Sequence, residues 1–288
     1  MSNIIWPINS FRLKNVWLIF ILLVSCGQNT DKTSNLTTEE NIRPDSILNQ
    51  TSLRKEIPSK RNYRYFEPTS IDTFLDFSEE LSLQLKYSDS TTIQPYYRDQ
   101  KIIDSLTKPY GNFYKRAQVI ENYRLQTFGD QVKRSGDTIL TRLTNGNWAS
   151  ITPNHETDEA GNTFEYYFKE EGFYLIRTQW SEGSEYKLIS HLDGRITPIW
   201  GVPYFSPDSR YMISVNGDID AGYSPNGFQL FKLNSGRLKL MGSFEPVKWE
   251  PGAAEWTDNQ TMKIRCRTTE IKKDLVQDIF FYVRLHIN

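Results

Sequence analysis

The stretch Tyr204–Tyr211, which reads YFSPDSRY, decides the predicted fold. An apolar run ends at Phe205, Pro207 presets the backbone φ angle of a turn, and the next apolar run begins at Tyr211. The Asp208 side chain is suited to accept hydrogen bonds from backbone amides inside that turn. Two strands joined by a tight turn are therefore predicted here, which favours an antiparallel β architecture.

Similar runs, rich in aromatic and β-branched residues and separated by Gly, Asn, Asp and Pro, continue to the end of the chain. The predicted strands are Thr138–Leu143, Thr163–Phe168, Phe173–Trp180, Tyr186–Leu192, Tyr211–Val215, Phe228–Leu233, Met262–Arg267 and Asp278–Leu285. Residues 129–288 are accordingly predicted to form a mainly β, antiparallel domain. A meander, a propeller-like arrangement and a sandwich all agree with this pattern.

Three turns recur along the β region, at Asn145-Gly146, Asp193-Gly194 and Ser235-Gly236. Their spacing of about 40 to 50 residues suits a repeated four-stranded unit. In addition, YFSPDSRY resembles the F-S-P-D-G-[KR] signature of TolB-type, WD40-like propeller blades, and the resemblance covers roughly residues 160–288. It implies a propeller-like fold. Ser209 stands where that signature usually has Gly, so a left-handed backbone is less comfortable at this position.

The preceding segment, residues 61–128, gives mixed signals. Alternating apolar residues at 81, 83, 85 and 87 predict a strand, whereas Ile102, Ile103 and Leu106 have helical spacing. Pro109 and Gly111 then end the helical pattern. This segment is predicted to be a small mixed α/β portion.

The amino-terminal segment has the pattern of a targeting signal. Arg12 and Lys14 precede the apolar run Val16–Val24, which is too short to span a bilayer core of about 30 Å as a helix. The run ends in Leu23-Val24-Ser25-Cys26, which resembles the lipobox of bacterial lipoproteins. The resemblance implies that residues 1–25 are a lipoprotein signal peptide, removed before Cys26, and that Cys26 is lipidated.

This targeting signal leads to expectations about the tether, the localisation and the partners of the protein. Residues 26–60 are rich in Asn, Thr, Ser and Glu and are predicted to be a lipidated flexible tether, with a reach on the order of 30 Å. We expect a cell-envelope protein that is held at a membrane by its amino-terminal lipid and faces the periplasm. Both the inner and the outer membrane agree with the sequence. The chain has 34 basic and 35 acidic residues and so lacks the excess of positive charge that attracts nucleic acid, which is therefore not expected as a partner.

No pattern typical of a catalytic site is present, and no catalytic residue or cofactor is predicted. The most unusual polar segment is Asn216–Gly227, in which Asn216, Asp218 and Asp220 have the spacing of the first ligands of a calcium loop. Gly stands at the seventh place rather than the sixth, and no Glu occupies the twelfth, so the ligand set is incomplete. The segment therefore has three interpretations: a connecting loop, a binding loop on a rigid scaffold, or a calcium site.

The candidate binding residues are Asn216, Asp218, Asp220, Asn226 and Trp249, the last expected to be exposed because Pro and Gly flank it. A non-enzymatic binding or assembly role is predicted, with an envelope protein or a glycan as partner. The alternatives are a hydrolase of envelope glycans or peptides that uses two carboxylates, and a calcium-stabilised adhesion module. Cys266, which lies in an alternating run, is predicted to be a buried strand residue.

Overall fold

The computed structural model describes residues 66–78, 81–97, 99–157, 159–180, 183–272 and 275–288. The predicted signal peptide 1–25, Cys26 and the predicted tether 26–60 lie outside the described residues. Residues Lys55–Asn288 form one compact unit, and everything below concerns the described part of this unit.

The described residues form sixteen strands, two α-helices and two short 3₁₀-helices. The strands are β1 Asp72–Ser78, β2 Leu81–Ser88, β3 Val132–Ser135, β4 Thr138–Arg142, β5 Trp148–Ile151, β6 Gly161–Phe168, β7 Phe173–Gln179, β8 Ser184–Ser190, β9 Ile196–Ile199, β10 Val202–Phe205, β11 Tyr211–Asn216, β12 Gly227–Asn234, β13 Arg237–Phe244, β14 Glu250–Trp256, β15 Thr261–Lys272 and β16 Leu275–Ile287. The helices are α1 Gln100–Thr107 and α2 Phe113–Thr127, with 3₁₀ turns at Pro68–Ser70 and His155–Thr157.

The strands form four antiparallel sheets, of which the first three follow one another along the chain and the fourth combines strands from both ends of the compact unit. The first sheet has the order β3-β4-β5, the second β6-β7-β8-β9, and the third β10-β11-β12-β13. The fourth has the order β1-β2-β16-β15-β14. The prediction of a mainly β, antiparallel fold is confirmed.

Buried side chains join each sheet to the next. Ile139 of the first sheet lies in one cluster with Ile176 of the second, and Leu188 of the second lies with Met212 of the third. The third and fourth sheets share the largest cluster, in which Leu230 is buried. Each such side chain stabilises the fold by about 1.5–3 kcal/mol through loss of apolar surface to water.

The predicted portions 61–128 and 129–288 do not form separate compact units, because both belong to the unit Lys55–Asn288. Strand β2 pairs with β16, and Leu85 lies opposite Leu285 in their register. The alternation that predicted a strand at residues 81–87 is therefore confirmed, but β1 and β2 complete a sheet whose other members, β14, β15 and β16, lie more than 160 positions later. Local patterns carry no information about such a distant pairing.

Helix α2 lies against β6 and is held there by the buried residue Arg124. The Nη1 atom of Arg124 donates to Glu165 Oε2 over 3.0 Å. Its guanidinium also lies over the rings of Tyr97 and Tyr166, at 5.1 and 5.6 Å from their centroids. A buried charge with both an ionic partner and two aromatic faces fixes the helix relative to the second sheet.

The sheets have two different ends. At the turn end, short turns carry positive φ angles at Gly146, Gly194 and Gly236, and Thr144 N donates to His191 O over 2.8 Å across two sheets. At the loop end, β5, β7, β11 and β13 finish and β6, β8, β12 and β14 begin. The ten-residue segment between β11 and β12, which is the predicted binding loop, lies at this loop end.

The turn in YFSPDSRY has the predicted geometry. Asp208 Oδ1 accepts hydrogen bonds from the Ser206 hydroxyl at 2.7 Å and from the Arg210 amide at 3.1 Å. Ser209 adopts φ 54°, the left-handed conformation that glycine would adopt without strain. The sequence departure at Ser209 therefore costs backbone energy in the folded protein.

Candidate functional site

The loop between β11 and β12 is closed by its own polar side chains. The Asp218 carboxylate accepts from the amides of Gly222 at 3.0 Å and Ser224 at 2.6 Å. Asn226 Oδ1 accepts from the Asp218 amide at 3.2 Å, and Asn216 Nδ2 donates to the carbonyl of Pro225 at 2.7 Å. These bonds replace water at backbone groups that would otherwise be unpaired, so the loop has one defined shape.

A second set of contacts ties this loop to the fourth sheet. Asn226 Nδ2 donates to the carbonyls of Pro246 and Trp249, at 2.8 and 2.9 Å. Arg267 Nη2 donates to Asp220 Oδ2 over 2.5 Å, and Arg267 Nε donates to Glu250 Oε1 over 2.6 Å. The loop is thus a rigid part of the scaffold at the junction of two sheets.

The aspartates that the calcium interpretation singles out contact donors of the chain itself. Both Asp218 oxygens accept backbone amides, and Asp220 is paired with Arg267. Among the described residues, no three His, Cys, Asp or Glu side chains are grouped as a metal ion would require. A cation at Asn216, Asp218 and Asp220 would have to compete with these donors.

Trp249 is buried, with 6% of its surface exposed, so the expectation that it is exposed was wrong. Its ring centroid lies 6.1 Å from that of Phe244 and 6.0 Å from that of Phe281. Burying the large indole in the third-to-fourth sheet cluster outweighs the turn-forming tendency of its Pro and Gly neighbours. Trp249 contributes to the candidate site only through its carbonyl, which holds Asn226.

Beside the loop lies a hollow of about 530 Å³, which we name the loop groove. Arg177, Gln179 and Trp180 of the second sheet line it from one side, and Asn216, Asp218 and Tyr223 of the loop line it from the other. Three of the five candidate residues, Asp220, Asn226 and Trp249, are not among the residues that line it. The groove has the volume of a small-ligand site.

A second hollow of about 510 Å³, named here the α2 cleft, lies at the loop end between α2, the β3–β4 hairpin and β6. Its wall contains an ion pair in which Arg134 Nε donates to Glu121 Oε2 over 3.1 Å and Arg134 Nη2 donates to Glu121 Oε1. Arg134 Nη2 also donates to the carbonyl of Asn162 over 2.7 Å, and Glu121 Oε1 accepts from the Phe164 amide at 2.8 Å. The bidentate pair is rigid and its charges cancel.

The wall of the α2 cleft also has an unpaired donor. Asn162 is 4% exposed, and its Oδ1 accepts from the Thr178 hydroxyl at 2.7 Å. Its Nδ2 has no hydrogen-bond partner within the part of the chain that the structure describes. Buried donors of this kind are usually satisfied by ordered water or by a ligand oxygen.

Two carboxylates, Glu121 and Asp137, line the α2 cleft, and a pair of carboxylates is the residue type that the hydrolase alternative needs. Glu121 accepts two hydrogen bonds from Arg134 and one from a backbone amide. Both oxygens of the Glu121 carboxylate are thus held by donors of the chain itself.

The sequence did not predict the full set of residues that lines either hollow. The residues Gln118, Asn122 and Gln179 belong to no recognisable motif, and they meet only because α2 packs on the second sheet. Cys266 is buried on β15, as predicted, and burial raises the pKa of its thiol well above the usual range. It lies away from both hollows' lining residues.

Comparison with known proteins identifies no family for this chain. No family model matches, and no curated protein matches. One similar solved structure is that of a proposed 6-phosphogluconolactonase from Bacteroides uniformis, with 11% identity, 51% of this chain and 68% of that chain covered, and a TM-score of 0.20. At that score the likeness carries no argument.

Helices long and apolar enough to cross a membrane are absent from the described residues.

Proposed function

We propose that this protein is a lipid-anchored component of the bacterial cell envelope with a non-enzymatic binding or assembly role, and that the loop end of its sheets is the binding face. The observation that carries the proposal is the position of the loop groove and the α2 cleft, which lie at the same end of the scaffold and share Gln179 as a lining residue. Rigid strands that present loops at one end are a common platform for binding.

The anchor is supported by the sequence of the amino-terminal segment. A charged segment, a short apolar run and Leu23-Val24-Ser25-Cys26 occur in the order that the lipobox resemblance requires. Since one lipid chain gives only weak membrane binding, an anchor of this class needs more than one chain on the processed Cys26. The succession of antiparallel meanders supports the propeller-blade resemblance as part of the same proposal.

The anchor is tested by Cys26→Ala in the full-length protein. We expect the variant to lose incorporation of labelled palmitate and to accumulate as an uncleaved precursor, because the acylated thiol is missing. Cys266→Ala is the matched control and should be labelled like the unchanged protein. Equal labelling of both variants, or full-length protein in the cytosol, would refute the anchor.

The binding face is tested by photocrosslinking in intact cells. A photoreactive amino acid replaces Tyr223, which is 57% exposed at the loop end, or Trp148, which is 36% exposed at the turn end. We expect specific adducts from position 223 and none from position 148. Adducts from position 148 alone would place the binding face at the opposite end and overturn the proposal.

A further inference from the structure

The loop groove and the α2 cleft meet across the end of the second sheet. Gln179 lines both hollows, and it lies opposite Gly161 of β6 on one side and Ser184 of β8 on the other. Neighbouring strands are about 4.8 Å apart, so this row of three residues is about 10 Å wide. A ligand that occupied both hollows would have to cross Gln179.

The path from the loop groove over Gln179 to the α2 cleft has mostly paired charged groups; among the described residues the exception is Asp137, an exposed carboxylate of the α2 cleft. Arg134 is neutralised by Glu121, and Arg177 Nε lies 3.0 Å from Glu165 Oε1. The Asp218 carboxylate accepts backbone amides. An anionic or cationic ligand would have to compete with these partners, so the path favours a neutral ligand.

Uncharged groups that both donate and accept hydrogen bonds remain free along the path. Within the described part of the chain, the side-chain amides of Gln118, Asn122 and Gln179 have no hydrogen-bond partner. A carboxamide offers two donors and one carbonyl acceptor, and a hydroxyl group also donates and accepts. The free groups therefore match a ligand rich in hydroxyls.

Two aromatic side chains stand at the groove end of the path. A Cβ atom placed on Gly183 would lie 3.4 Å from Trp180 Cε3 and 3.5 Å from Tyr223 Cβ, so both residues approach the same glycine. Tyr223 is 57% exposed. Flat aromatic faces of this kind bury the apolar C–H face of a sugar ring.

From these features we infer that the path binds a neutral oligosaccharide longer than a disaccharide, with one end stacked near Trp180 and Tyr223, the middle over Gln179 and the other end in the α2 cleft. This inference rests on the proposed binding role of the loop end. A peptide is less suited to the path, because peptides bind by adding a strand to a free edge or by filling apolar pockets. Strand β7 has no free edge at Gln179, where it pairs with β6 and β8.

The test uses the full-length protein in detergent micelles on a printed array of oligosaccharides of one to six units. The best tetrasaccharide and the disaccharide cut from it are then compared by calorimetry. We expect the tetrasaccharide to bind at least tenfold more tightly, because only the longer ligand reaches both hollows. Gln179→Ala and Tyr223→Ala should each weaken tetrasaccharide binding at least fivefold.

Trp180→Ala should also weaken binding at least fivefold, and Trp148→Ala is its control because Trp148 lies at the turn end. Thermal unfolding checks that each variant is folded. If Trp180→Ala does not fold, Tyr223→Ala still tests the aromatic end of the path, because Tyr223 is exposed and its loss should not unfold the protein. Failure of every sugar to bind, or binding unaffected by the Gln179 and Tyr223 variants, would overturn the inference. Capture of a peptide at position 223 in place of a sugar would overturn the inference and leave the proposed binding face intact.

Discussion

The Tyr96 hydroxyl oxygen accepts a hydrogen bond of 3.0 Å from the backbone amide of Phe205. Tyr96 precedes α1, whereas Phe205 ends β10 at the YFSPDSRY turn. The Tyr96 ring also lies 4.6 Å from the Tyr204 ring and 5.9 Å from the Phe168 ring, centroid to centroid. One side chain from the helical region thus joins the second and third sheets.

Tyr96→Phe should lower the free energy of unfolding by about 1–3 kcal/mol, because the Phe205 amide loses its acceptor while the ring contacts remain. Urea unfolding followed by tryptophan fluorescence measures the change. Tyr110→Phe, at an exposed tyrosine, should leave the free energy nearly unchanged. Equal effects of the two substitutions would show that the hydroxyl of Tyr96 has no structural role.

Stability should decrease above about pH 10. Burial raises the pKa of Tyr96, Tyr97 and Tyr186 well above the usual value. In the unfolded chain these phenols lose their protons near pH 10, whereas in the folded protein they keep them. The unfolded state then binds fewer protons, so the free energy of unfolding falls as the pH rises.

Urea unfolding at pH 8, 9, 10 and 11 measures this dependence. The midpoint should be nearly constant up to pH 9 and lower at each step beyond it. Tyr96→Phe should reduce the slope above pH 10, since one of the buried phenols is gone. A midpoint unchanged between pH 8 and pH 11 would contradict the assignment of these hydroxyls to the interior.

Ser209→Gly should stabilise the protein by about 0.5 kcal/mol. Glycine relieves the cost of the left-handed backbone at φ 54°, although it also increases the entropy of the unfolded chain. Ser209→Ala retains a Cβ atom and is the control, with no gain expected. The prediction fails if thermal unfolding gives the alanine variant the same midpoint as the glycine variant.

Gly227→Ala should destabilise the protein by about 1–3 kcal/mol. A Cβ atom at this position would lie 1.9 Å from the carbonyl oxygen of Phe244, so β12 and β13 would have to separate. Gly222→Ala is the matched control, because its backbone is also left-handed but no atom lies within 4 Å of the added carbon. If Gly227→Ala lowers the free energy of unfolding more than Gly222→Ala does, the excess is the cost of separating the two closely approaching strands. Equal losses in the two variants would show that β12 and β13 do not approach so closely at Gly227.

Arg267→Lys should loosen the loop between β11 and β12. The planar guanidinium contacts Glu250, Asp220 and Asp278 at once, whereas an ammonium group cannot reproduce the fork. We expect faster amide hydrogen exchange at Ile219, whose amide donates to Glu250 Oε2 over 3.0 Å. Arg284→Lys, at an exposed arginine of β16, should leave that exchange rate unchanged, and an unchanged rate in both variants would rule out the role of Arg267.

Much of the β architecture could be predicted because it is encoded locally. Gly146, Gly194 and Gly236 lie at turns with positive φ, as the Asn-Gly, Asp-Gly and Ser-Gly pairs indicate. Strand β9 escaped prediction because Ile196–Ile199 is short and contains a proline. Strand β14 escaped because Glu250–Trp256 contains proline, glycine and alanine, and an irregularity in its pairing with β15 accommodates them.

The site was predictable only in part. The polar character of Asn216–Asn226 is visible in the sequence, and the structure places this segment beside a groove. Whether Asp218 accepts backbone amides or contacts a ligand depends on the fold of its own loop, which composition does not specify. Gln179 has no local signature at all, because its position between two hollows results from packing among the second sheet, α2 and the loop.

The pairing of Leu85 with Leu285 has a consequence for biosynthesis. The fourth sheet receives strands from both ends of the compact unit, so β2 has no partner on the β16 side until the ribosome has also made β16, which begins at residue 275. The β1–β2 hairpin must therefore wait for β16 before its sheet is complete. Until then β2 presents an unpaired strand edge, and such an edge is open to pairing with strands of other chains.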